Sequence, residues 1–243
     1  MWEDDAGEIA GWALAIPQKR FDVQSHDAAV IAEALAWVES SLTAEGIETE
    51  LWDDDAFRTP IYAQHGFAPN PDALPYTVTL RALDDLPPVP TLPDGFSIRA
   101  AAGAHEAELL AAVHAASFAS QWTAAQYAQV MESPGYSAEQ EFVVVAPDGR
   151  FAAFAVTWHD ALNRLGYFEP VGTHAEFRRL GLARALMIHA MHAMRAAGMT
   201  HAQVAHEAAE KNPASAALYA GLGFTPQFRT RLWMKRREVG VVR

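Results

Sequence analysis

The sequence contains no cysteine, which excludes a disulfide framework, a thiol nucleophile and a thiolate metal site. Positive charge is scarce. Eighteen Lys and Arg stand against thirty Asp and Glu, a formal net charge of −12. That balance argues against an extended nucleic-acid or anionic-membrane surface. No apolar run approaches the roughly 20 residues needed to cross a bilayer. Met1-Trp2-Glu3-Asp4-Asp5 lacks the basic and then apolar layout of a secretory leader. The expectation is a cytoplasmic protein with neither membrane nor nucleic acid as partner. What the chain does have is core material. Of its 243 residues 51% are hydrophobic and 20% charged, enough for one large domain or two modest ones.

One proline-rich segment looks like a linker. Pro87, Pro88, Pro90 and Pro93 fall within Leu86–Gly95; each fixes φ and removes a donor, so this stretch reads as an extended linker. It separates residues 1–86 from 96–243, with 87–95 between them. The second part alternates helical and strand patterns. Strands are expected at 96–100, 141–146, 151–158, 166–173, 201–205 and 228–234. Helices are expected at 104–118, 123–131, 182–197 and 213–220. Helices interleaved with hairpins and single strands make this an α/β protein with a mixed sheet.

The first part repeats the end of the second. Ile61-Tyr62-Ala63-Gln64-His65-Gly66-Phe67 matches Leu218-Tyr219-Ala220-Gly221-Leu222-Gly223-Phe224 in its Tyr-Ala, Gly and Phe positions. Upstream, a helix over 28–42 ends at Gly46 as the helix over 182–197 ends at Gly198. We read an internal duplication with the first copy cut short. Only the strand at 8–16 is expected before its helix, so about half a domain is missing. Aligning the two glycines sets His26–Ile31 opposite Arg178–Ala183. The first copy has no glycine or arginine pair there, and Asp27 would repel a phosphate.

The sharpest local pattern is Arg178-Arg179-Leu180-Gly181-Leu182-Ala183, directly after a strand and opening a helix. Glycine permits close approach of a ligand, the first helical turn offers unpaired N–H groups to an anion, and two arginines add charge suited to phosphate. A P-loop needs Gly-Lys-Ser or Gly-Lys-Thr and a Rossmann turn needs three spaced glycines; neither is present. In these residues the sequence resembles the GNAT superfamily of acetyl-CoA-dependent N-acetyltransferases. Asn212-Pro213-Ala214-Ser215-Ala216-Ala217-Leu218-Tyr219, running on to Gly223-Phe224, is similar to a second motif of that family. The resemblance covers Phe96 to Met234, and the half-copy before the linker resembles a tandem GNAT arrangement with one degenerate, truncated domain.

The resemblance implies a GNAT fold and a set of roles. The pyrophosphate of CoA would lie on the amides of Leu180, Gly181, Leu182 and Ala183, with Arg178 and Arg179 close by. Val171, Gly172 and Thr173 would part from the neighbouring strand and hydrogen-bond the pantetheine arm. Asn212 would contact the cofactor, and Tyr219 would be the general acid for the departing thiolate. A Lys-like amine of pKa about 10.4 is less than a thousandth neutral at pH 7, a deficit of roughly 4 to 5 kcal/mol, so a general base is useful. Glu169 is the first candidate, ahead of His206 and Glu207.

Trp158, His159, Asp160 and His206 are candidate substrate contacts. The expected activity is direct transfer of an acetyl group from acetyl-CoA to a primary amine of a small molecule or peptide, by a monomer or homodimer and without a metal. His206-Glu207-Ala208-Ala209-Glu210 lacks the second histidine of a zinc-protease helix. The alternative is a non-catalytic acyl-CoA-binding module whose N-terminal half is an interaction surface.

Overall fold

The computed structural model describes residues 1–16 and 19–236, so the expected C-terminal domain runs past the described residues at 237–243. In chain order the elements are β1 (Trp2–Glu3), β2 (Ile9–Ile16), β3 (Arg20–Ser25), α1 (Ala28–Ser41), β4 (Gly46–Trp52), α2 (Arg58–Gln64), β5 (Ala68–Pro69) and β6 (Tyr76–Ala82). They continue with β7 (Ser97–Ala100), α3 (Ala107–Phe118), α4 (Ala124–Met131), β8 (Glu141–Val145), β9 (Phe151–Asp160) and β10 (Leu165–Thr173). The remainder is α5 (Leu182–Ala196), β11 (His201–Glu207), α6 (Pro213–Gly221) and β12 (Thr225–Arg236). The chain is a mixed α/β protein, as expected.

Two compact units emerge, and they do not part at the proline segment. One comprises Met1–Val78, His206–Asn212 and Gln227 onward; the other comprises Thr79–Ala205 and Pro213–Pro226. Residues 87–95 lie inside the second unit.

In the second unit the strand order is β6-β11-β10-β9-β8-β7. β7, β8, β9 and β10 pair antiparallel in succession, while β10 and β11 run parallel. One sheet face is covered by α3 and α4 through Leu110, Val113 and Tyr127 against Val143, Phe154 and Val156. The other is covered by α5, whose Leu182, Leu186 and Met191 join Phe168 and Val204. α4 starts where its cap predicts. Thr123 Oγ1 accepts from the Gln126 amide at 3.3 Å, and Gln126 Oε1 accepts from the Thr123 amide at 3.0 Å, a reciprocal capping box.

The first unit repeats the order of the second. β2 and β3 form an antiparallel hairpin, α1 follows, and β4 then lies parallel to β3 with Arg20 opposite Glu48. The sequence reading assigned only the first strand of that hairpin and left 68–86 without a strand. β1, β3, β5 and β6 are the additions. Residues Thr230–Arg236 of β12 close this unit, pairing antiparallel with Trp52–Gly46. α1 and α2 pack Ile31, Leu35, Val38 and Tyr62 against Phe21, Val23 and Ile47.

The helix start aligned with the Arg178–Ala183 turn is already occupied. Asp27 Oδ1 accepts from the amides of Ala29 at 2.7 Å and Val30 at 3.4 Å. A carboxylate that satisfies the first-turn amides leaves them nothing to offer an anion. Arg58 is equally committed, to Asp55 through Nε and to Gln24 of β3 through Nη1 at 3.2 Å.

Candidate active site

The site in the second unit begins with a defect in strand pairing. β10 and β11 pair from Leu165↔His201 to Phe168↔Val204. Among the described residues the pairing goes no further, although β10 continues to Thr173. On its other side β10 stays with β9, through Val171↔Ala155, Gly172↔Phe154 and Thr173↔Ala153. The backbone groups of 171–173 that point away from β9 are therefore left without a strand partner, in a position to bond an extended ligand.

The same strand carries a bulge. Phe168 lies opposite Thr157 and Val171 opposite Ala155, so Glu169 and Pro170 together face the single residue Val156. An extra residue kinks a strand and re-aims its side chains. Trp158 Nε1 fastens the bulge by donating to the Glu169 carbonyl at 2.9 Å.

Gly172 is fixed by close packing. A Cβ there would lie 2.4 Å from Phe154 Cε1 and 2.9 Å from Ser117 Cβ and Oγ, and Phe154 has no exposed surface. Gly172→Ala is expected to cost about 1 to 3 kcal/mol of stability by overpacking, read as a lowered denaturation midpoint. An unchanged midpoint would show that the strand shifts freely at this point.

β10 leads into the anion turn. Arg179 and Gly181 both adopt left-handed backbone, with φ of 70° and 77°, which brings the chain sharply into α5. The first α5 carbonyl bond is Ala185 N–H to Gly181 O at 3.1 Å. The amides of Leu182, Ala183 and Arg184 precede that bond and face the helix dipole's positive end. A Cβ on Gly181 would meet nothing within 4 Å. The space over the turn is open.

Arg178, expected close by a pyrophosphate, is hydrogen-bonded to backbone carbonyls. Its Nη2 donates to Ser117 O at 2.9 Å and its Nε to Thr173 O at 3.4 Å. It ties the turn to α3 and to the end of β10. Arg179 and Leu180 are exposed beside it.

Tyr219 of α6 is buried, 7% exposed, with its ring edge-on to Phe224 at 6.1 Å. Its phenol pKa is pushed up to about 12, chiefly by burial and further by the nearby Glu169 and Tyr167. Glu169 itself is shifted upward by desolvation, partly offset by a hydrogen bond from Tyr167. The residue keeps an exposed edge, so this carboxyl still exchanges protons with water. The structure thus brings Tyr219, Glu169 and Tyr167 together beside the point where β10 and β11 part. Tyr167 was not singled out in the sequence; its only signal is its place two residues before Glu169 on a strand.

Tyr62, the repeat counterpart of Tyr219, has a different environment. It has no exposed surface and stacks on Phe21 with ring centres 6.3 Å apart. It is packing.

The remaining candidates separate. Trp158 lies opposite Tyr167 across the hairpin. His159 is half-buried, with its pKa lowered by desolvation. Asp160 caps the β9–β10 turn by accepting from the Asn163 amide at 3.0 Å and side chain at 2.6 Å, at the hairpin end away from the bulge. Asn212 and His206 fall in the first compact unit, where Asn212 N–H donates to Ala208 O at 3.1 Å and His206 Nδ1 lies 2.7 Å from Glu207 O. His189 and His192 are absorbed by packing. The first lies edge-on to Phe142, and the second bonds Pro87 O at 2.9 Å. Among the described residues no cluster of three metal-ligating side chains occurs, and no helix is long and apolar enough to cross a membrane.

Comparison with known proteins agrees with this geometry. The acetyltransferase (GNAT) family model matches residues 108–224. No curated protein matches the sequence. A GCN5-related N-acetyltransferase from Sphaerobacter thermophilus is 18% identical, with a TM-score of 0.73 over 96% of this chain and 79% of that one. A tandem GNAT protein from the clavulanic acid biosynthesis pathway, determined without AcCoA, gives 18%, 0.73, 96% and 81% in the same terms. A GCN5-related N-acetyltransferase from Kribbella flavida gives 20%, 0.61, 89% and 80%. Identities this low establish a shared fold and nothing finer. Residues 108–224 match the acetyltransferase (GNAT) family model as a GNAT domain, and the chain shares its fold with solved GNAT structures, a tandem GNAT protein among them.

Proposed function

We propose that the protein is an N-acetyltransferase that moves an acetyl group from acetyl-CoA to a primary amine by direct attack within a ternary complex, at one site in the second unit. The observation that carries this reading is the parting of β10 from β11 at Phe168 and Val204. It frees the backbone of 171–173 just before a helix start whose amides are unpaired. The residues present fit the cofactor's chemistry. The strand edge suits the amide-bearing pantetheine arm, and the turn at Leu180–Ala183 suits the pyrophosphate. Bound acetyl-CoA supplies an activated thioester.

The chain's own groups manage the protons. Glu169 takes a proton from the acceptor nitrogen, directly or through one water, as the N–C bond forms and the C–S bond breaks. A carboxyl pKa raised by desolvation makes it a better base than an ordinary surface glutamate. Tyr219, protonated at neutral pH, donates a hydrogen bond to the departing sulfur. With no cysteine in the chain, a thiol-acyl intermediate is excluded. The test is release of free CoA and formation of an acetylated product with a panel of primary amines. Binding of acetyl-CoA without turnover of any amine would favour the acyl-CoA-binding module instead.

The pH profile isolates Glu169. Because its pKa is raised, the base form is lost as pH falls through a value above the ordinary 4.3. The acidic limb of kcat/KM is expected to fall there in wild type. In Glu169→Gln that limb is expected to vanish, with a rate about 10² lower on the plateau. A variant that keeps the limb assigns the base elsewhere.

A further inference from the structure

A carboxylate with no exposed surface stands at the start of β8. Glu141 is 0% exposed. Tyr127 donates its phenol to Oε1 at 2.5 Å and Tyr136 to Oε2 at 2.6 Å. No cation pairs with it among the described residues. Glu106, whose charge adds to the negative potential here, is itself held by Arg99. Removing an ion from water costs several kcal/mol, and the strand continues as Phe142-Val143-Val144, so packing alone would be better served by an apolar residue.

The position is not remote from the chemistry. Glu141 pairs with Val156 of β9, and Val156 is the residue faced by the Glu169–Pro170 bulge. Two strand spacings separate the two glutamates, about 10 Å. Between them, the half-buried ring of Tyr136 lies 6.4 Å from Trp158 at 67°, and Trp158 holds the Glu169 carbonyl.

Tyr136 gives its proton to Glu141, so its oxygen presents only lone pairs, polarised by the carboxylate behind. Such an oxygen can accept from an N–H donor, and the face of the adjacent indole attracts cations. A negative subsite also stabilises an ammonium against losing its proton, so the nitrogen held there cannot be the one that attacks.

Resting on the acetyltransferase reading above, we propose that Tyr136 and Trp158, with Glu141 behind them, hold a second ammonium group of the acceptor, making the substrate class a diamine or longer polyamine. Tyr136 and Trp158 touch the substrate; Glu141 determines specificity through Tyr136. One nitrogen stays charged at this subsite while the other is deprotonated at Glu169.

The experiment compares kcat/KM for α,ω-diamines of two to six carbons with n-alkyl monoamines of the same lengths. Wild type should favour the best diamine at least about tenfold, and Glu141→Gln and Tyr136→Phe should each bring that ratio to near unity, a loss of about 1.4 kcal/mol. Because the ratio is taken within each enzyme, a general loss of folded protein leaves it unchanged, and Tyr136→Phe carries the test should Glu141→Gln not fold. A wild-type ratio near one, or a ratio preserved in a folded variant, overturns the diamine subsite alone. Acetylation of neither amine class, with acetyl-CoA bound, overturns the acetyltransferase reading and the subsite with it.

Discussion

Tyr219→Phe is expected to lower amine acetylation by about 10²- to 10³-fold while leaving the dissociation constant for acetyl-CoA within about threefold. The magnitude is that of removing one donor aimed at charge developing in a transition state. The geometry makes the phenol such a donor. It is 7% exposed, beside Glu169 and Tyr167, with a pKa pushed up to about 12, so at pH 7 only about one molecule in 10⁵ is ionised. That pKa also defines the kind of help it gives. A CoA thiol near the ordinary thiol value of about 8.5 is a weaker base than the phenolate by roughly 3.5 units, so full proton transfer is uphill by about 5 kcal/mol. On the proposed mechanism Tyr219 would act by a hydrogen bond that strengthens as the C–S bond breaks, its proton staying on oxygen. Steady-state turnover with titration calorimetry of acetyl-CoA separates the two quantities. Equal turnover in the variant would remove Tyr219 from the chemistry.

Gly181→Asp is expected to weaken acetyl-CoA binding more than a hundredfold with little effect on melting temperature. Nothing lies within 4 Å of the added Cβ, so the folding cost is confined to a left-handed φ of 77°, roughly 1 to 2 kcal/mol and less for Asp, which tolerates that region. The binding cost is much larger. A carboxylate would stand over the amides of Leu182 and Ala183, where a pyrophosphate is expected. Like charges 4 Å apart at an effective dielectric of about 20 repel by about 4 kcal/mol. The first unit supplies the precedent, since Asp27 already satisfies its helix start. Gly181→Ala serves as the uncharged control, with a loss of no more than about tenfold. Undiminished binding in the Asp variant would place the cofactor elsewhere.

The features readable from sequence were those built from contiguous residues. The helices at 123–131, 182–197 and 213–220 were legible from their own residues, and Arg178–Ala183 with Asn212–Phe224 carried the resemblance to the GNAT family. The features that escaped it depend on neighbours distant in the chain. β3, Arg-Phe-Asp-Val-Gln-Ser, does alternate polar and apolar residues as a half-buried strand should, but only Phe21 and Val23 carry the pattern, too short a run to stand out. The bulge at Glu169 is defined only by its register against β9. Glu141 reads as a polar residue opening an apolar strand, and only Tyr127 and Tyr136, 14 and 5 residues away, reveal a buried ion. Arg178 shows the converse. Its charge was legible, but its use as a tie to Ser117 O, 61 residues distant, was not.

The pairing of Thr230–Arg236 with Trp52–Gly46 sets an order of events during synthesis. β4 emerges early and has to wait for a strand about 180 residues later before its unit is whole. Contacts of such long separation form late and slow folding. Until then β4 presents an unsatisfied edge open to wrong pairing. Cutting the gene at the proline segment would strand β4 without β12, so neither fragment would hold a complete copy of the unit it was meant to isolate. Each unit is thus assembled from stretches lying on both sides of the proline segment or of the other unit's residues, and neither is a single contiguous length of chain.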